Sequence, residues 1–100
     1  SATSIEESKT VVPGKFSLYQ NYPNPFNPET KIRYSLEKSS FIRLTLHDIT
    51  GREIRNLFEG THNPGQFHYI LDADNLASGL YFYKLTDGNN TLTRKMLLMK

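Results

Sequence analysis

The chain of 100 residues contains no cysteine and no tryptophan. Without cysteine it can form neither a disulfide nor a thiolate metal site, and cysteine-based catalysis is excluded. No apolar run exceeds four residues, as in Met96 to Met99, whereas a membrane-crossing helix needs about 20. No N-terminal stretch combines a charged start with an apolar run, which is the pattern of a signal peptide. The expectation is that such a signal sits upstream on a longer parent, or that the chain is cytosolic. Charge of one sign is also lacking: twelve basic and ten acidic residues leave a net charge of +2. The cations, among them Lys15, Lys31, Arg33, Arg43, Arg52, Arg55 and Lys84, are dispersed along the chain. A nucleic-acid-binding face concentrates them, so nucleic acid is not an expected partner.

What is present is aromatic and alternating. Residues 1–14 are small and polar and end in Val12-Pro13-Gly14. They read as a linker, because such a stretch buries too little surface to offset its ordering entropy. From Lys15 the composition changes, and residues 15–100 read as one folded domain. Lys31 to Glu37 and Phe41 to Asp48 alternate apolar and polar residues, the period of a half-buried strand. Arg52 to Phe58 forms a third such run, in which Leu57 breaks the alternation and predicts a bulge. Phe67 to Leu71, Leu80 to Thr86 and Thr91 to Lys100 add three more, and a short strand at Lys15 to Tyr19 brings the count to seven. Leu80 to Thr86, dense in aromatics, is expected at the centre of a sheet. Gly51, Asn63-Pro64-Gly65 and Asp87-Gly88 mark turns between them, whereas Asp72 to Gly79 reads as a connection with room for one helical turn. The fold class expected is all-β, a sandwich or barrel. A membrane barrel fits less well, because these strands are mostly shorter than the 9–11 residues, roughly, that a bilayer requires. Inward alternation would bury Ile32, Tyr34, Leu44, Leu46, Ile54, Ile70, Tyr81, Tyr83 and Leu85.

Residues suited to catalysis or metal binding do not form recognisable patterns. His47, His62 and His68 lack metal-ligand spacing and are expected in surface or hairpin roles. Asp72, Asp74 and Asn75 lack the closing glutamate of a calcium loop and are expected to build a turn. There is no nucleophile elbow, phosphate loop or dinucleotide fingerprint, so neither catalysis nor a cofactor is expected. Asn89-Asn90-Thr91 matches a glycosylation triplet, a pattern common by chance.

Two segments stand out. Tyr22-Pro23-Asn24-Pro25-Phe26-Asn27, followed by Pro28, is stiffened by three prolines. It reads either as a plug over one end of the sandwich or as a recognition ribbon. Lys95-Met96-Leu97-Leu98-Met99-Lys100 is apolar on both faces and bracketed by lysines. Such a strand is either central or available to a partner, including a second copy of the chain.

These segments, with Asp48-Ile49-Thr50-Gly51-Arg52 and Leu76-Ala77-Ser78-Gly79-Leu80-Tyr81, make the chain resemble the type A C-terminal sorting domain of the type IX secretion system of Bacteroidetes and related bacteria. The resemblance runs from about Phe16 to Lys100. It implies an Ig-like seven-stranded antiparallel β-sandwich, non-enzymatic, fused behind a cargo domain. It further implies recognition by an outer-membrane translocon and a shuttle protein after folding in the periplasm. A surface sortase would then cut within residues 1–14, leaving the cargo at the cell surface or secreted. Recognition is assigned to Lys95 through Lys100. Gly51, Gly79, Tyr81 and the Tyr22–Asn27 motif would hold the fold that presents that strand. The rival readings are a structural Ig-like or fibronectin-like spacer and a sugar-binding sandwich, for which Tyr19, Tyr69 and Phe82 are the candidate platform.

Overall fold

The computed structural model describes residues 15–100; the linker and the cleavage region expected within residues 1–14 lie outside them. Seven strands follow in order: β1 (Ser17–Leu18), β2 (Glu29–Leu36), β3 (Ser40–His47), β4 (Glu53–His62), β5 (Gly65–Asp72), β6 (Gly79–Thr86) and β7 (Thr91–Leu98). They form two antiparallel sheets, one ordered β1-β2-β5 and the other β4-β3-β6-β7. The Asp72–Gly79 connection contains a turn closed by Leu76 N–H donating to Ala73 O at 3.0 Å, and no helix.

Alternation decides which side chains meet between the sheets. Ile32, Tyr34 and Leu36 of β2 are buried against Ile42, Leu44 and Leu46 of β3, Tyr81, Tyr83 and Leu85 of β6, and Met96 and Leu98 of β7. Each fully buried aliphatic side chain contributes roughly 1.5–3 kcal/mol through removal of apolar surface from water. β6 is an inner strand, as its aromatic density predicts.

β4 carries two bulges. Leu44 pairs with Phe58 and Thr45 with Asn56, so Leu57 is the extra residue; Leu46 pairs with Arg55 and His47 with Glu53, so Ile54 is another. The bulges let an irregular apolar spacing serve one core: Leu57 is buried and Ile54 packs against the cluster. β5 corrects one expectation. Leu71, not Ile70, points inward, with Phe67 and Tyr69 on the same side, and Ile70 is 44% exposed. Both residues are apolar, and pairing with β2 in the register Leu71–Thr30 selects the odd-numbered face.

The two open sides of the sandwich are closed differently. On one side the chain passes from β4 to β5 and changes sheet. There the His62 ring stacks between Phe58 (centroids 4.6 Å apart) and Phe67 (3.9 Å), and its Nε2 lies 3.1 Å from the Tyr34 hydroxyl. On the other side the segment from Tyr19 to Pro28 leaves the β2 edge, where Tyr22 and Lys31 exchange two backbone hydrogen bonds, and crosses to β7.

Candidate recognition pole

β2 starts, β3 ends, β6 starts and β7 ends at the same end of the sandwich. All four motif segments gather there, although they are far apart in sequence. The terminal strand occupies a sheet edge, with β6 on one side only. Its alternation sorts its side chains onto two faces. Met96 and Leu98 are 1% and 0% exposed and anchor the strand in the core. Leu97 and Met99, 37% and 56% exposed, point away from it, with Lys95 exposed on the same face. The strand ends at Leu98 rather than running to Lys100. Beyond it, Lys100 N–H donates to Ser78 Oγ at 3.0 Å, and Lys100 Nζ donates to Asp74 O, so the last residue folds onto the β5–β6 connection.

The proline-rich motif covers the free edge of this strand. Phe26 forms a parallel bridge to Leu98: Phe26 N–H donates to Leu97 O and Met99 N–H donates to Phe26 O, each at 3.0 Å. Asn24 Oδ1 accepts from Leu97 N–H at 2.9 Å, and Gln20 Nε2 donates to Lys95 O at 2.6 Å. Two side-chain amides and one residue of backbone thereby substitute for a neighbouring strand. The Phe26 side chain is buried, whereas Tyr22 is the most exposed large apolar residue of the described chain. The motif is thus a plug through Phe26 and a displayed ribbon through Tyr22.

A buried polar knot anchors that segment, and its members do not stand out in sequence. Tyr83 O–H donates to Tyr19 O at 2.7 Å and accepts from Asn21 N–H at 2.8 Å. Asn21 Nδ2 donates to Thr30 Oγ1 and to Pro23 O, and Thr30 Oγ1 donates to Pro23 O. Burial pushes the Tyr83 phenol up to about 12, so it stays a neutral donor. Only the spatial neighbourhood identifies these residues, since Asn, Thr and Tyr are ordinary strand and turn residues.

The two glycines shape the same pole. Gly51 (φ +91°) turns the β3–β4 hairpin, whose tip is tied by Asp48: its Oδ1 accepts from Thr50 N–H at 2.9 Å and from Arg52 N–H at 3.1 Å. Hydrogen bonds from the Thr50 hydroxyl and these amides hold the Asp48 carboxyl below the usual carboxylate range. His47 Nδ1 lies 3.1 Å from Gly51 O, a hairpin role. Gly79 (φ +151°) opens β6 opposite Leu98; nothing crowds its missing Cβ, so backbone conformation alone favours glycine there. Tyr81 O–H donates to Ala77 O at 2.6 Å and closes the turn before it.

At the opposite pole the chain enters through Lys15 and Phe16, where Ser35 Oγ donates to Lys15 O. The polar cavity lined by Phe16, Glu37, Lys38, Ser40, Asp87 and Asn90 belongs to that end and touches none of the motif residues. Asp72 Oδ1 accepts from Asp74 N–H, a turn rather than a metal loop, and among the described residues no group of three or more potential metal ligands assembles. Tyr19, Tyr69 and Phe82 do not form one platform. Tyr69 packs against the core, Tyr19 lies beneath Arg33 on the outside of the three-stranded sheet, and Phe82 faces out from the other sheet.

A search of the curated proteins returns no match. Among solved structures, PorZ of Porphyromonas gingivalis, described as an essential bacterial surface component of the type-IX secretion system, superposes with a TM-score of 0.53 at 21% identity. The match covers 83% of this chain and 11% of that one, and speaks to the fold alone. Residues 20–99 match the family described as secretion system C-terminal sorting domain, a span that takes in the four motif segments up to Met99. The chain therefore belongs to the family of secretion system C-terminal sorting domains.

Proposed function

We propose that this domain is the address by which a fused upstream cargo crosses the outer membrane through a type IX secretion system. A family of sorting signals is not an enzyme family, and the work assigned to this domain is recognition. In this reading the domain folds in the periplasm, is bound by the translocon and its shuttle protein, and is cut from the cargo by a surface sortase within residues 1–14. The cargo then stays at the cell surface or is released.

One observation carries the reading. Four separated motif segments converge on a single pole, and the upstream chain enters at the other. A cargo attached at Lys15 therefore leaves Lys95, Leu97, Met99 and Lys100 accessible. The arrangement also favours recognition through side chains over strand addition, because Phe26 and Asn24 already occupy the edge hydrogen-bonding positions at Leu97 and Met99.

The test is a fusion of a signal peptide, a periplasmic reporter and residues 1–100, expressed in a bacterium with a working type IX system. Deleting Lys95 to Lys100 is a poor control, because it removes the core residues Met96 and Leu98. Lys95→Glu combined with Leu97→Glu alters outward side chains only. Export of the parent fusion and periplasmic retention of the folded double variant support the reading. Retention of both means the domain is not an address, and the spacer reading replaces it.

A further inference from the structure

Beside the terminal strand stands a second row of outward side chains. Leu80, Phe82 and Lys84 of β6 lie directly opposite Leu97, Lys95 and Thr93 of β7. Leu80, 39% exposed, pairs with Leu97, so two leucines sit side by side on the outer face. Six of the seven exposed large apolar residues, Phe41 being the exception, lie at the recognition pole. Those on the three-stranded sheet, Tyr22 and Ile70, neighbour both Glu29 and Lys31 and have no net sign. On the β6–β7 face the sign is uniform. From Gly79 to Lys100 the chain carries Lys84, Arg94, Lys95 and Lys100 against a single carboxylate, Asp87, which lies in the hairpin at the far pole. Arg94 and Lys100 are turned away from this face, Arg94 Nε donating to Leu18 O and Lys100 Nζ to Asp74 O, which leaves Lys84 and Lys95 on it.

We propose that the recognition face is two strands wide. Leu80 and Phe82 form one apolar patch with Leu97 and Met99, rimmed by Lys84 and Lys95, and this patch binds a protein surface that presents carboxylates around an apolar socket. The inference rests on the sorting reading above and adds the partner chemistry and the β6 residues. Apolar side chains at the centre with charges at the rim match the general anatomy of a protein interface. Lysines on the rim steer encounter and select against basic partners. A bilayer is the poorer occupant. A membrane-surface element sinks its apolar side chains roughly 5–10 Å past the headgroups. Leu80 and Leu97 instead lie flat in a sheet with less than half their surface exposed.

The same export fusion tests it. Leu80→Glu lowers exported reporter at least tenfold with an unchanged melting temperature of the purified chain, and Leu80→Met does not. Lys84→Glu, which removes no apolar packing, lowers export several-fold and decides the matter if Leu80→Glu melts early. Phe41→Ser, which deletes an exposed aromatic at the far pole, exports as the parent does. Normal export of both Leu80→Glu and Lys84→Glu overturns the two-strand face while leaving the sorting reading intact. Retention of the unmutated fusion overturns both. Co-sedimentation of the parent chain with phosphatidylglycerol vesicles, lost in Leu80→Glu, overturns the protein partner in favour of an anionic membrane.

Discussion

Tyr83 has no exposed surface, yet its hydroxyl ties β6 to the segment that leads into the proline-rich motif. Replacing it with phenylalanine keeps the ring and leaves the buried Asn21 N–H and Tyr19 O without that partner. Unfolding of Tyr83→Phe in urea should show a loss of about 1–3 kcal/mol, the cost of orphaned buried polar groups. His62 gives a second residue-scale expectation. Desolvation between the aromatic rings lowers its pKa, so the folded state favours the neutral ring. An unfolded histidine protonates first as pH falls below about 6.5, and stability present above that pH drains away through the lowered folded pKa. The melting temperature should fall between pH 7.5 and pH 5, and the fall should be smaller in His62→Phe, which stacks but cannot protonate.

The terminal strand and the proline-rich segment act as one element. An edge strand with free amides and carbonyls is a template for self-association, and here Asn24 and Phe26 occupy that template at Leu97 and Met99. A homodimer through this strand would require the segment to leave. Asn24→Ala frees the Leu97 N–H without touching the core, so this variant should elute from a sizing column with a mass that rises with protein concentration, whereas the parent elutes as a monomer. Phe26→Ala opens the same edge and also empties a core site, with an expected loss of about 3–5 kcal/mol. The bulges of β4 work at this scale too. Leu57 could be read as a bulge from its misplaced apolar residue, but Ile54 could not, because Ile54 alone fits a regular alternation.

For the whole molecule, polarity is the organising feature. The described residues extend 41 × 29 × 20 Å, with chain entry at one pole and the motif cluster at the other. A reporter placed before residue 1 should therefore leave export unaffected. A bulky domain appended after Lys100 should abolish it, because Lys100 is tucked against Ser78 and Asp74 at the recognition pole. Comparing the two fusions in one strain, with a melting curve for each, separates blocked recognition from unfolding.

The four motifs were recognised through their resemblance to a known family, whereas strand positions, the turns at Gly51 and Asp87-Gly88 and the central place of β6 were legible in the residues themselves. The latter depend on side-chain period and on backbone preferences of single residues, which are local properties. The choice between Ile70 and Leu71 was not legible, nor was whether the terminal strand is central or at an edge. Nor could the chain reveal that Asn24, 73 residues before Leu97, would cap that strand. Those outcomes arise from pairing register and sheet order, in which residues distant in sequence compete for the same hydrogen-bonding edge and the same core volume.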